Sequence, residues 1–137
     1  MLRDTSPPEL WELRLTLEPA IARMAALRAT PDQLAAIARI HAAADPARFD
    51  LEGDIAFHRA VAEASGNSLF AWLVDAVTGF TRDGGFRMQL PAFTEETGWR
   101  RHDAILSAIQ RRSPAEAEAA MRAHHEAIHR WLSGFSD

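Results

Sequence analysis

At two points inside this chain a hydroxyl, a proline and an acid come in the order that opens a helix. The runs are Thr30-Pro31-Asp32 and Ser113-Pro114-Ala115-Glu116. The hydroxyl accepts a hydrogen bond from a first-turn N–H, proline sits where its missing N–H costs nothing, and the acid meets the positive helix end. Between such signals apolar residues recur at three- and four-residue steps, and no stretch alternates convincingly at period two. Alanine is abundant, tyrosine is absent and β-branched residues are sparse, which favours helix over sheet. The pattern predicts an all-α fold.

Six helices follow from this reading. Met1 to Pro8 reads as a linker or tail, and residues 9–137 as one all-helical domain. A first helix spans Pro8 to Arg28, with a stripe of Leu10, Leu13, Leu17, Ile21, Met24 and Leu27, and with Pro19 expected to bend or split it. A second runs from Pro31 to Ala44 and buries Leu34, Ile37 and Ile40. The third, Phe49 to Ala64, stops at Ser65-Gly66-Asn67. A fourth starts after Asn67 or Ser68, and Gly79, Gly84 and Gly85 leave its end open. Pro91 marks a break before a fifth helix, Phe93 to Arg111, and the sixth runs from Pro114 to Phe135. Short connections imply an antiparallel bundle.

Charge and composition exclude several classes of function. Fifteen basic against nineteen acidic residues give a net charge of −4, and no segment concentrates enough basic charge to track a phosphate backbone. Cysteine is absent, so there is no disulfide framework and no thiolate metal site. No apolar run is long enough for a membrane span and no signal pattern opens the chain. A cytoplasmic protein is expected.

Helical phase divides the histidines. Asp54 and His58 stand one turn apart on the face that continues through Val61, Ala62 and Ser65. His102 shares a face with Ile105, Leu106 and Ile109, and His124 with Ala117, Met121, Ile128, Trp131 and Leu132. His125 falls on a polar face with Glu118, Arg122 and His129, and His41 has no special company. Any one inward histidine is more often a core residue bonded to a carbonyl, and Asp54 alone more often a surface acid or cap. Together, Asp54, His58, His102 and His124 suit a divalent transition ion such as Zn, Ni or Mn, since neutral imidazoles with a carboxylate are poor ligands for Ca or Mg.

Several stretches resemble the FCD domain, the C-terminal effector-binding domain of FadR-subfamily GntR-type bacterial transcription regulators. They are Glu12-Leu13-Arg14 with Leu17-Glu18-Pro19, Asp54-Ile55-Ala56-Phe57-His58, Ala64-Ser65-Gly66-Asn67-Ser68-Leu69, His102-Asp103-Ala104-Ile105-Leu106-Ser107-Ala108-Ile109, and Ala119-Ala120-Met121-Arg122-Ala123-His124. The resemblance implies a helical bundle around a central cavity, with a divalent ion held by Asp54, His58, His102 and His124 and a small carboxylate completing its coordination. It also implies a homodimer. The first and fourth helices are candidates for the contact, and Trp11, Trp72, Trp99 and Trp131 are rings that either serve it or belong to the core. Arg14 matches an arginine that looks towards the cavity in this family, so it either pairs with an effector carboxylate or joins Glu18 at i+4. A winged helix-turn-helix domain normally precedes this one. Here only a short proline-containing lead does, so DNA contact is expected only through a domain not encoded in these residues. The rival expectations are a metal-dependent hydrolase or lyase, which lacks an obvious general base here, and a purely structural metal.

Overall fold

The computed structural model describes residues 5–83 and 96–134. Its elements are α1 (Pro7–Arg28), α2 (Pro31–Ala42), α3 (Leu51–Ala64), α4 (Ser68–Asp83), α5 (Glu96–Gln110) and α6 (Pro114–Gly134). The all-α bundle expected from the pattern is thus present, and no strand occurs among the described residues. Gly84, Gly85 and Pro91, and the expected start of the fifth helix at Phe93, lie outside them.

Local chemistry sets the starts. Ser6 caps α1 through a capping box: its Oγ accepts from the Glu9 N–H, and Glu9 Oε2 accepts from the Ser6 N–H at 2.8 Å. Helix therefore begins at Pro7, one residue earlier than expected, inside the stretch read as a tail. Thr30 and Gln33 repeat the device at α2. At α3, Asp50 Oδ2 accepts from the Gly53 N–H at 3.2 Å, so the helix starts at Leu51 rather than Phe49. A Cβ on Gly53 would lie 2.9 Å from that carboxylate oxygen, so the cap and the glycine belong together. Gly66, at φ +77°, turns the chain out of α3 as a left-handed stop.

α1 is the organising element, packing against α3, α4 and α5 and most extensively against α6. It runs unbroken through the buried Pro19, so the expected split does not occur. Its buried face also departs from the leucine stripe. Leu10 and Ile21 are buried, but Leu13 is 45% and Leu27 60% exposed. What lies inside instead is Trp11, Arg14, Glu18, Ala22, Ala25, Ala26 and Ala29. Alanines let neighbouring helices approach closely, and an ion pair occupies the middle of the face. The main core joins these alanines to Ile37, Phe57, Val61, Ile105, Ile109 and Met121, and a smaller cluster of Leu10, Trp11, Val77 and Ile128 closes one end.

Candidate metal centre

α3 presents Asp54 and His58, α5 presents His102 and α6 presents His124. The backbone of α3 stands off from those of α5 and α6. The four side chains reach into that gap. Asp54 Oδ1 lies 3.2 Å from His102 Nε2 and 3.5 Å from His58 Nε2. The His58 and His124 rings are nearly parallel, with centroids 5.3 Å apart, and His102 meets His124 edge-on at 4.8 Å. One ligand atom from each of the four lies within 4.8 Å of all the others. Atoms bound to one ion at about 2.1 Å stand roughly 3–4 Å from each other, so a small contraction would close this set on a metal.

Neighbours hold the rings in place. Phe57 stacks on His102 at 4.1 Å with the planes 5° apart. His41 stacks on Trp99 at 4.4 Å, and its Nε2 pairs with Asp103 Oδ1 at 3.1 Å. His41 therefore has company that the sequence did not reveal, contributed by α5.

The electrostatics favour a ligand-ready state at three of the four side chains. Burial works against the Asp54 carboxylate, but the His58 and His102 rings outweigh it and hold its pKa well below the usual range. Burial pushes His124 well below the ordinary histidine value, and the imidazoles of His102, His125 and His58 push the same way. Burial also lowers His102, partly offset by Asp54. Only His58 is raised: burial alone would lower it, but Glu18 and Asp54 prevail. An ionised carboxylate beside neutral imidazoles is the form that binds a transition metal; Asp54, His102 and His124 are held in that form, and His58 gives up a proton to join them.

The hydrogen-bond accounting tests whether the residues fit an ion. Both nitrogens of His124, and Nε2 of His58 and of His102, are buried without an aligned hydrogen bond. A buried polar atom left unpaired costs about 1–3 kcal/mol. Several such atoms gathered round one carboxylate, all within 4.8 Å of one another, can converge on one ion, and this donor set suits Zn, Ni or Mn.

A second cluster lies on the other edge of His58. Its Nδ1 is 2.7 Å from Glu18 Oε1, and His125 Nε2 is 3.2 Å from the same oxygen. The opposite carboxylate oxygen, Oε2, takes Nε of Arg14. Arg14 is 2% exposed and also lies over the Trp11 ring at 5.1 Å. The structure thus places Arg14 in the i+4 pair with Glu18. His125 corrects the polar-face expectation: it is 0% exposed. α6 packs on both α1 and α5, so two successive histidines point into two adjacent clusters. His125 escaped the sequence reading because it needs the α1–α6 contact to find its partner, and the tie of Glu18 to His58 needs the α1–α3 contact; the Arg14–Glu18 spacing was the available signal.

Above the four-residue set lies a cavity of about 260 Å³. Asp54, His102 and His124 contribute to its lining, Trp11, Phe49, Phe57 and Trp99 give apolar walls, and the arginines Arg48 and Arg101 stand with the acids Asp45 and Asp50 round it. Arg101 Nη1 is buried without a hydrogen-bond partner.

Comparison with known proteins places these features in a family context. Residues 9–127 match the FCD domain. The chain is 30% identical over 124 residues to the HTH-type transcriptional repressor NanR of Cronobacter sakazakii, covering 85% of this chain and 47% of that protein. It is also 30% identical over 146 residues to the Uxu operon transcriptional regulator of Escherichia coli K12, covering 98% and 56% respectively. Among solved structures, a GntR protein of Streptococcus agalactiae superposes with a TM-score of 0.75 at 29% identity, over 90% of this chain and 58% of that one. The chain spans about half the length of the curated relatives it matches.

Proposed function

The chain belongs to the FCD domain family, the helical domain of GntR-type regulators, and from that footing we propose that it senses a small carboxylate through a bound divalent metal. The observation that carries this reading is the group of buried imidazole nitrogens without aligned hydrogen bonds gathered round Asp54, beside a cavity that Asp54, His102 and His124 line. Asp54, His58, His102 and His124 would hold Zn, Ni or Mn. Four protein ligands leave positions open on an ion that prefers six, and there the metal would bind a hydroxy- or keto-carboxylate. The apolar walls suit the body of such an acid, and the unpaired Nη1 of Arg101 suits its charge. Arg14 enters this reading through Glu18 rather than by touching the effector. Relatives named as transcription regulators agree with a non-enzymatic role.

An effector that bridges α3, α5 and α6 binds one arrangement of the bundle better than another. That difference biases the population. The bias passes to DNA through a winged-helix domain attached to this one, in the cytoplasm where such a regulator works. A homodimer fits the surface: Leu13 and Leu27 of α1 and Leu69 and Trp72 of α4 are exposed large apolar residues, Trp72 at 66%. The Trp131 side chain lies outside the described residues. Trp11 belongs to the core and half-buried Trp99 to the cavity wall.

Metal analysis of the purified chain tests the reading. One divalent ion per chain is expected, lost in Asp54→Ala, His58→Ala, His102→Ala and His124→Ala. A thermal-shift screen of small carboxylates on the loaded protein follows, with responses expected to weaken in Arg101→Gln. No metal uptake after reloading with Zn, Ni and Mn would defeat the coordination reading.

A further inference from the structure

His58 belongs to two clusters at once. Asp54, His58, His102 and His124 form one potential ion site, and Glu18, His58 and His125 form another. A neutral imidazole has one lone pair, so His58 can serve only one of them. We propose that Glu18, held by Arg14, is a positioning residue that keeps the His58 proton on Nδ1, so that Nε2 faces Asp54, His102 and His124 and a single ion binds there. The inference rests on the metal reading above and adds the device that selects between the two sites.

Three observations support it. Glu18 is buried and carries a charge that needs donors, and His58 Nδ1 lies 2.7 Å from its Oε1, within donating distance once the ring turns into line. Second, Arg14 gives Oε2 its Nε and approaches Oε1 with Nη2 at 3.4 Å. The guanidinium compensates the carboxylate and sets a fixed positive charge beside the second cluster, where it opposes a dication. Third, placing the proton on Nδ1 has unequal consequences. The Glu18 set is reduced to Glu18 and His125, too few to hold an ion, whereas the Asp54 set keeps all four ligands. A histidine ligand whose other nitrogen is held by a carboxylate is also a stronger donor with a fixed ring orientation.

The test pairs a metal-independent readout with a metal titration. In the metal-free chain, ¹⁵N-resolved NMR of the histidine rings, at a pH where His58 is neutral, should find Nδ1 protonated and Nε2 bare. In Arg14→Met/Glu18→Leu, which removes both charges and so avoids stranding one in the core, that preference should collapse to a mixture. Titration with Co²⁺ should give one equivalent in the unaltered chain. Glu18→Gln and the double variant should bind about 10- to 100-fold more weakly, with the cobalt absorption bands unchanged in shape because the four ligands remain. His102→Ala should alter those bands. A proton on Nε2 of His58 in the unaltered chain, or undiminished cobalt affinity in both Glu18 variants, would overturn the proposal. So would bands altered by Glu18→Gln and His125→Phe but not by His102→Ala, since Glu18 would then be a ligand. Should the unaltered chain take up no metal, the metal reading fails by itself, and the NMR result still decides whether Glu18 controls His58.

Discussion

Arg14 and Glu18 sit in the middle of α1 at 2% and 3% exposure, and at the residue scale each exists in the core only because of the other. Removing one partner of a buried ion pair strands a charge and costs about 3–5 kcal/mol, whereas replacing both by apolar residues of similar volume is often close to neutral. Arg14→Met alone is therefore expected to destabilise the chain by that amount in urea unfolding, and Arg14→Met/Glu18→Leu to recover most of the loss. A double variant as unstable as the single one would mean that the His58 and His125 contacts of Glu18 outweigh its bond to Arg14. This pair also marks where the sequence was readable at this scale. Its i,i+4 spacing suggested the partnership, but nothing local showed that Glu18 would also gather two histidines from other helices.

At the element scale, legibility followed the strength of the hydrophobic signal. α3, α5 and α6 carry clear apolar stripes, and helical phase placed Asp54, His58, His102 and His124 inward on each, where the structure brings them together. α1 misled because its inner face is built from alanines, which register weakly as apolar, while leucines occupy part of its exposed face. Caps were read well at Thr30 because their chemistry is local. Ala25, at 0% exposure, gives a direct check on the α1 packing: Ala25→Leu should cost about 1–3 kcal/mol from overpacking, while Ala20→Leu on the exposed side should stay within about 0.5 kcal/mol. Thr30→Ala should cost about 1 kcal/mol through loss of the α2 cap. All three are read from denaturant midpoints.

For the whole molecule, the buried histidines tie stability to pH. The pKa values of His102, His124 and His125 are lowered by burial, that of His125 to about 4, while His58 is raised. Lowered groups contribute stability that is fully present above the ordinary histidine value near 6.5 and is lost as pH falls towards their folded values. The raised His58 does the opposite, contributing below 6.5 and fading as pH rises through its folded value. Three groups against one leave the unfolded state binding more protons between about pH 4 and 6.5, so the metal-free chain should gain stability with rising pH there. Glu18 and Asp54, both lowered, extend the same sign into more acidic solution. Denaturant midpoints measured across that range check the slope, and a flat or inverted profile would contradict the protonation states argued here. Saturating metal at about 100 times its dissociation constant should add about 2.7 kcal/mol. The partnership of α1 with α6 has one more consequence, and it concerns time. Of the six helices the earliest in the chain has the latest as its chief neighbour, so on the ribosome α1 waits with its alanine face uncovered while the four between are synthesised. His124 arrives with that same late helix. Closure of the bundle and completion of the ligand set are thus one event, reached once α6 has emerged, and nascent chains that stop short of α6 should remain open to proteases and chaperones.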